Sequence, residues 1–111
     1  MAKKKTKVDE YKDVFVKLYK AQRKYGAGNL VALLTRCVRG KGDYVSSYIN
    51  LVAERTGVSP TCHITTTNGD IMRPVVEEII YIEEGFRPSQ GDIAKAWSLF
   101  INDCLTHKIK V

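Results

Sequence analysis

The side chains best suited to metal binding or nucleophilic chemistry fall in two short stretches, Cys62-His63 and Cys104-Leu105-Thr106-His107. A cysteine and a histidine three residues apart lie one helical turn apart, and both are donors that zinc accepts. Cys62 and His63, in contrast, are neighbours in a β-branched stretch, and neighbours on a strand project to opposite faces. Neither spacing matches a common zinc-finger pattern. The same divergence works against a Cys–His nucleophile pair. The acidic doublets Glu77-Glu78 and Glu83-Glu84 supply no paired carboxylates, because neighbours on a helix face apart; they read as solvated acidic surface. The chain has no Walker loop, no GxSxG and no HExxH. Gly26-Ala27-Gly28 lacks the third glycine and the preceding strand of a dinucleotide site. The expectation is a protein that is not an enzyme, with no metal and no cofactor.

The pronounced chemistry is charge. The net charge is +6, from 18 basic and 12 acidic residues. Residues 1–41 carry 12 basic and three acidic side chains, a net of +9, while residues 42–111 carry six basic and nine acidic, a net of −3. Such polarity concerns partners more than fold, and a polyanion is the natural partner of the first half. The alternative is a solvated charged face. The basic candidates are Lys3, Lys4, Lys5 and Lys7 in an N-terminal arm, Lys17, Lys20 and Lys24 along a first helix, Arg36, Arg39 and Lys41 where a second helix turns, and Arg55. Tyr19 and Tyr25 lie among them as candidate base-stacking rings, although tyrosines at helical spacing also serve as core or boundary residues.

The elements that must position these groups follow from periodicity. The length of 111 residues and a hydrophobic fraction of 44% suit one domain, read as a flexible arm over 1–8 and a globular unit over 9–111. Tyr11, Val14, Phe15, Leu18 and Tyr25 predict a helix over 9–25, stopped by Gly26. Asn29 caps a second helix over 30–39, whose apolar face holds Leu30, Leu33, Leu34, Cys37 and Val38. The link between them is short enough for an αα-hairpin. A third helix over 43–57 turns Tyr44, Val45, Tyr48, Ile49 and Val52 inward, with Asp43 as its cap. Residues 62–67 are rich in β-branched side chains. With Asn68-Gly69, a strong hairpin signal, they predict two short strands, the return being 70–73. Pro74 then opens a fourth helix through Val75, Val76, Ile79 and Ile80 to Gly85, with a strand through Ile82 as the competing assignment. Ser89 and Asp92 match a capping box for a fifth helix bearing Ile93, Trp97, Phe100, Ile101, Cys104 and Leu105. The fold class is therefore mainly α (α+β): about five helices with one small hairpin after the third. Core candidates are Phe15, Leu18, Leu30, Leu34, Tyr48, Val52, Ile79, Trp97, Phe100 and Ile101.

The order helix, helix, helix, hairpin over 9–73 resembles the winged-helix arrangement. The resemblance implies that the third helix reads DNA through Ser46, Ser47 and Asn50, with Thr66, Thr67 and Asn68 at the tip of the wing. The chain departs from that pattern in two ways. Ala27-Gly28-Asn29 leaves no room for a strand between the first two helices, and the third helix has a single basic residue, Arg55.

Phosphate contacts need no base reading. The functional expectation is a non-enzymatic nucleic-acid-binding protein, DNA or RNA, that tracks phosphates with its arm and first two helices. The alternative is a structural or interaction protein: a subunit of a larger assembly such as a virion or nucleoprotein component, or a small effector with an acidic protein partner. For a homo-oligomer, Glu77, Glu78, Glu83, Glu84 and Asp92 would meet the lysine face of another copy, or the helix bearing Trp97 and Phe100 would form a symmetric interface. An odd cysteine count (Cys37, Cys62, Cys104) and no apolar run after the first lysines point to reduced thiols and a cytoplasmic location, or a nuclear one. No run nears the roughly 18 apolar residues of a membrane span.

Overall fold

A computed structural model describes residues 6–37 and 43–110. Five α-helices are present: α1 (Lys7–Tyr25), α2 (Leu30–Cys37), α3 (Asp43–Thr56), α4 (Gly69–Glu84) and α5 (Gln90–Leu105). Among the described residues there are no strands. The Cα radius of gyration, 13.5 Å, is close to the roughly 13 Å of a compact chain of about 100 residues.

α1, α2 and α5 each have a local reason to begin or end where they do. Thr6 caps α1 with a full capping box: its hydroxyl accepts from the Asp9 amide at 3.1 Å, and the Asp9 carboxylate accepts from the Thr6 amide at 3.3 Å. This places the start two residues earlier than the apolar spacing predicts. Gly26, at φ 68°, ends α1 in the left-handed conformation that glycine adopts without strain. Asn29 caps α2 by accepting from the Ala32 amide at 2.9 Å, as the sequence indicates. The expected extension of α2 to Arg39 lies outside the described residues. Ser89 caps α5 by accepting from the Asp92 amide at 3.1 Å.

α1 is the central element, packed against α5, α2 and α4, while α3 packs on α4 and α2. Phe15, Leu18, Leu30, Leu34, Tyr48, Val52, Ile79 and Phe100 are buried, as expected; Trp97 and Ile101 are partly buried against the same cluster. Phe15 packs edge-on against Trp97 at 5.1 Å and stacks on Phe100 at 5.7 Å. This aromatic cluster joins α1 to α5 and takes Phe100 out of any symmetric interface.

The hairpin over 62–73 is not formed, and the winged-helix resemblance falls with it. Residues 57–68 run instead as an irregular strap across the α1–α2 corner. The Ile64 amide donates to the Gly28 carbonyl at 2.7 Å, and the Val31 amide donates to the Pro60 carbonyl at 3.2 Å. These bonds take the place of a strand ladder. Asn68 caps α4 by accepting from the Asp70 amide at 3.1 Å, so Asn68-Gly69 is a helix start and not a reverse turn. Gly69 is needed there because a Cβ would come within 2.9 Å of the Trp97 indole. The segment from 69 is helical throughout, so the competing strand through Ile82 is absent and Pro74 lies inside α4. Pro74 removes the donor to the Asp70 carbonyl, but both residues face solvent, where water can serve that group.

Candidate nucleic-acid interface

Glu10, Asp13, Lys17, Lys20 and Lys24 follow one another at three- and four-residue intervals, so they form a single stripe along α1. The stripe changes sign part-way. From Glu10 to Lys24 it spans about 21 Å at 1.5 Å per residue.

Its basic end is concave. Lys17, Lys20, Ala21, Lys24 and Tyr25 of α1, with Arg36 and Cys37 of α2, line a groove of about 250 Å³. The αα-hairpin builds it: α2 folds back along α1 until the Cys37 thiol faces the Lys17 carbonyl, Sγ to O 3.8 Å. Helical side chains lean toward the N-terminus of their own helix. Arg36 therefore reaches back to Tyr25, with its guanidinium carbon 4.4 Å from the ring centroid; the Lys24 ammonium is 5.5 Å from the same ring. Among the described residues no carboxylate lines the groove. Among the described residues Lys17, Lys20, Lys24 and Arg36 form no ion pair, whereas Lys7, Lys12, Arg55, Arg73 and Arg87 all do.

The acidic end is a separate concavity of Glu10, Asp13, Val14, Lys17 and Glu84. Glu83 and Glu84 of α4 also meet Glu10 beside Tyr11, Ile80 and Phe86. The polarity of the molecule thus runs along α1, with acidic residues of both sequence halves gathered at one end and Lys17 at the boundary.

The structure sorts the candidate residues. Lys17, Lys20, Lys24 and Arg36 come together. Lys7 stands apart, 3.8 Å from Glu10 and over the Phe86 ring. Arg55 is on α3, 3.9 Å from the Glu78 carboxylate and near the Tyr81 ring, and is not part of the groove. Lys3, Lys4, Lys5, Arg39 and Lys41 lie outside the described residues.

The two tyrosines also separate. Tyr19 is partly buried, edge-on to Phe100, whereas Tyr25 is 52% exposed. Cys37, read from sequence as a core thiol, is partly buried against the core and also forms a wall of the groove. Burial pushes its thiol up to about 11, with Glu83 adding to the shift and Lys17 opposing it, so it stays protonated and non-nucleophilic near neutrality.

No family model matches the chain, and comparison with curated proteins and with solved structures gives no match. The function has to be read from the site itself.

Glu77 and Glu78 are not the solvated doublet that the sequence suggests. Glu78 is only 5% exposed. Arg87 reaches it across the Gly85 stop: Nη1 donates to one Glu78 oxygen in a short contact, and Nη2 to the other at 3.3 Å. Tyr81 lies beneath the Arg87 guanidinium at 4.3 Å. Glu77 accepts from Gln90. These carboxylates hold α4 to the start of α5, which leaves Glu83 and Glu84 as the exposed acidic pair of the helix. Among the described residues no three or more His, Cys, Asp or Glu side chains are placed to hold a metal. No described helix is long and apolar enough to cross a membrane.

Proposed function

We propose that this protein binds nucleic acid through its phosphate backbone, with Lys17, Lys20, Lys24 and Arg36 as the contacting groups. The observation that carries the reading is their convergence on one groove where, among the described residues, they have no ion-pair partner and no carboxylate lines the wall. Four cations held together repel one another, and a polyanion relieves that repulsion while releasing its own counterions. Fixed arginine and lysine donors on a helical hairpin fit phosphate oxygens and need no base identity. Lys3, Lys4, Lys5, Arg39 and Lys41 would add contacts of the same kind.

The test is affinity for a labelled oligonucleotide across a salt series. The triple variant Lys20→Ala, Lys24→Ala, Arg36→Ala should weaken binding and flatten the plot of log affinity against log salt by about 2 to 3, near 0.7 to 0.9 per lost phosphate contact. Arg73→Ala, which removes a solvent-facing cation paired with Asp70, should leave the slope unchanged. Equal slopes for wild type and the triple variant would contradict the assignment.

A second reading is favoured by the sign change along α1. Glu10, Glu83 and Glu84 at one end and Lys20, Lys24 and Arg36 at the other are complementary between two copies. Sedimentation of nucleic-acid-free protein separates the readings: dimers or larger species that dissolve in high salt support self-association, and a monomer at all salt concentrations leaves the groove to a polyanion.

A further inference from the structure

Within the nucleic-acid reading, on which this step rests, the groove is shaped for an unpaired strand. We infer that the preferred ligand is single-stranded nucleic acid, with one base stacked on the Tyr25–Arg36 pair while Lys17, Lys20 and Lys24 hold the adjoining phosphates. Tyr25 is the last residue of α1 and is 52% exposed, although the corner around it is tightly packed: Ala27 and Leu30 are buried within a few residues. The ring has cations over it. The Arg36 guanidinium carbon lies over it, 4.4 Å from its centroid, and the Lys24 ammonium 5.5 Å from it, so ring and guanidinium are layered against each other. Aromatic rings and guanidinium planes each stack on the face of a base.

The rest of the groove agrees. Ala21, Cys37 and the lysine stems give it an apolar floor, with charge only at the rim. A volume of about 250 Å³ is just below the roughly 300 to 1,000 Å³ of drug-sized ligand sites. It suits a base and part of its sugar, whereas a duplex keeps its bases paired and its bulk outside. Lys17, Lys20 and Lys24 extend about 12 Å along α1 from the ring, the direction in which a backbone leaving a stacked base would run. Tyr19, the other candidate ring, is turned into the α1–α5 aromatic cluster, so one base position is expected per groove.

The experiment uses the full chain and three fluorescein-labelled probes of equal phosphate number per strand: oligothymidylate, its abasic counterpart, and the thymidylate–adenylate duplex. Anisotropy at low salt should rank oligothymidylate about tenfold tighter than the abasic strand, within the range for one aromatic–base stack, and tighter than the duplex. Tyr25→Leu should abolish the difference between the base-bearing and abasic strands. Tyr25→Phe should keep the difference.

If wild type binds the base-bearing and abasic strands equally, or if Tyr25→Leu weakens both by one factor, the stacking inference is overturned while phosphate binding stands. If the duplex is preferred, the single-strand assignment is overturned. If none of the three binds at low salt, the nucleic-acid reading falls and takes this inference with it.

Discussion

Gln22 of α1 grips Thr66 of the 57–68 strap twice: its Oε1 accepts from the Thr66 amide at 3.0 Å and from the Thr66 hydroxyl at 2.6 Å. Its Nε2 donates to the Ile64 carbonyl at 2.6 Å. One side-chain amide thus satisfies three polar groups of a segment with no regular structure, and Thr66 is 1% exposed. Buried groups of this kind are costly when left unpaired. The strap closes the corner from which α2 folds back, so Gln22 also fixes the hairpin that forms the basic groove.

Gln22→Leu should destabilise the protein by about 2 to 4 kcal/mol, because it strands two donors and one acceptor in a place water reaches poorly. Thr66→Val, which loses only the hydroxyl, should cost about 1 kcal/mol. Urea unfolding checks both, and similar costs for the two would show that the amide bonds are not the main restraint.

Gly69→Ala should destabilise by about 1 to 3 kcal/mol, the usual range for an overpacked site. The added Cβ would stand 2.9 Å from Trp97 Nε1 and Cε2. Gly91→Ala, near the start of α5 with nothing within 4 Å of the added carbon, should stabilise by about 0.5 kcal/mol through lower unfolded-state entropy. Thermal melts of the two variants should therefore move in opposite directions, with a tryptophan fluorescence change in the first alone.

How much of this was legible in the sequence varies by element. The helices of residues 7–37 and 90–105 follow from local signals, since their apolar stripes and caps, Asn29 and Ser89, act within a few residues. The 62–73 segment was misread because the decisive partners are distant: Gln22 satisfies the backbone a strand would have paired, and Trp97 explains the glycine that suggested a turn. The lysine stripe was visible at i, i+3 and i+7. The grouping of Arg36 with it needed the hairpin, and the removal of Glu78 from the exposed charge needed the contact with Arg87 beyond the end of α4 and with Arg55 of α3. Tyr19 and Tyr25 have equal claims as residue types; only the position of Phe100 separates them.

Arg87→Leu should cost about 2 kcal/mol or more, because it leaves Glu78 buried with only Arg55 nearby, at 3.9 Å. Arg55→Ala should cost under about 0.5 kcal/mol, since the bidentate Arg87 contact remains and Arg55 is exposed and approaches Glu78 only to 3.9 Å. Comparable losses in denaturant melts would mean that the two arginines share the carboxylate equally.

The thiols should report the packing of the groove. Burial raises the Cys37 thiol from 9.0 to about 11, and burial followed by the Asp103 charge raises Cys104, whereas Cys62 is exposed. Labelling at pH 8 should therefore be fast at Cys62 and slow at Cys37 until the protein is unfolded. The folded state holds the Cys37 proton more tightly than the unfolded state does. The corresponding stability is present below pH 9 and is lost as pH rises toward 11. Over that interval the difference in thermal midpoint between wild type and Cys37→Ala should shrink; a constant difference would place the thiol in a solvated setting.

The groove assignment is tested most directly by backbone amide NMR during titration with a short single-stranded oligonucleotide at low salt. Saturable shifts concentrated in residues 17–25 and at Arg36 and Cys37, and lost as salt is raised, are the expected result. Shifts confined to α4 and α5, or spectra unchanged at low salt, would contradict it.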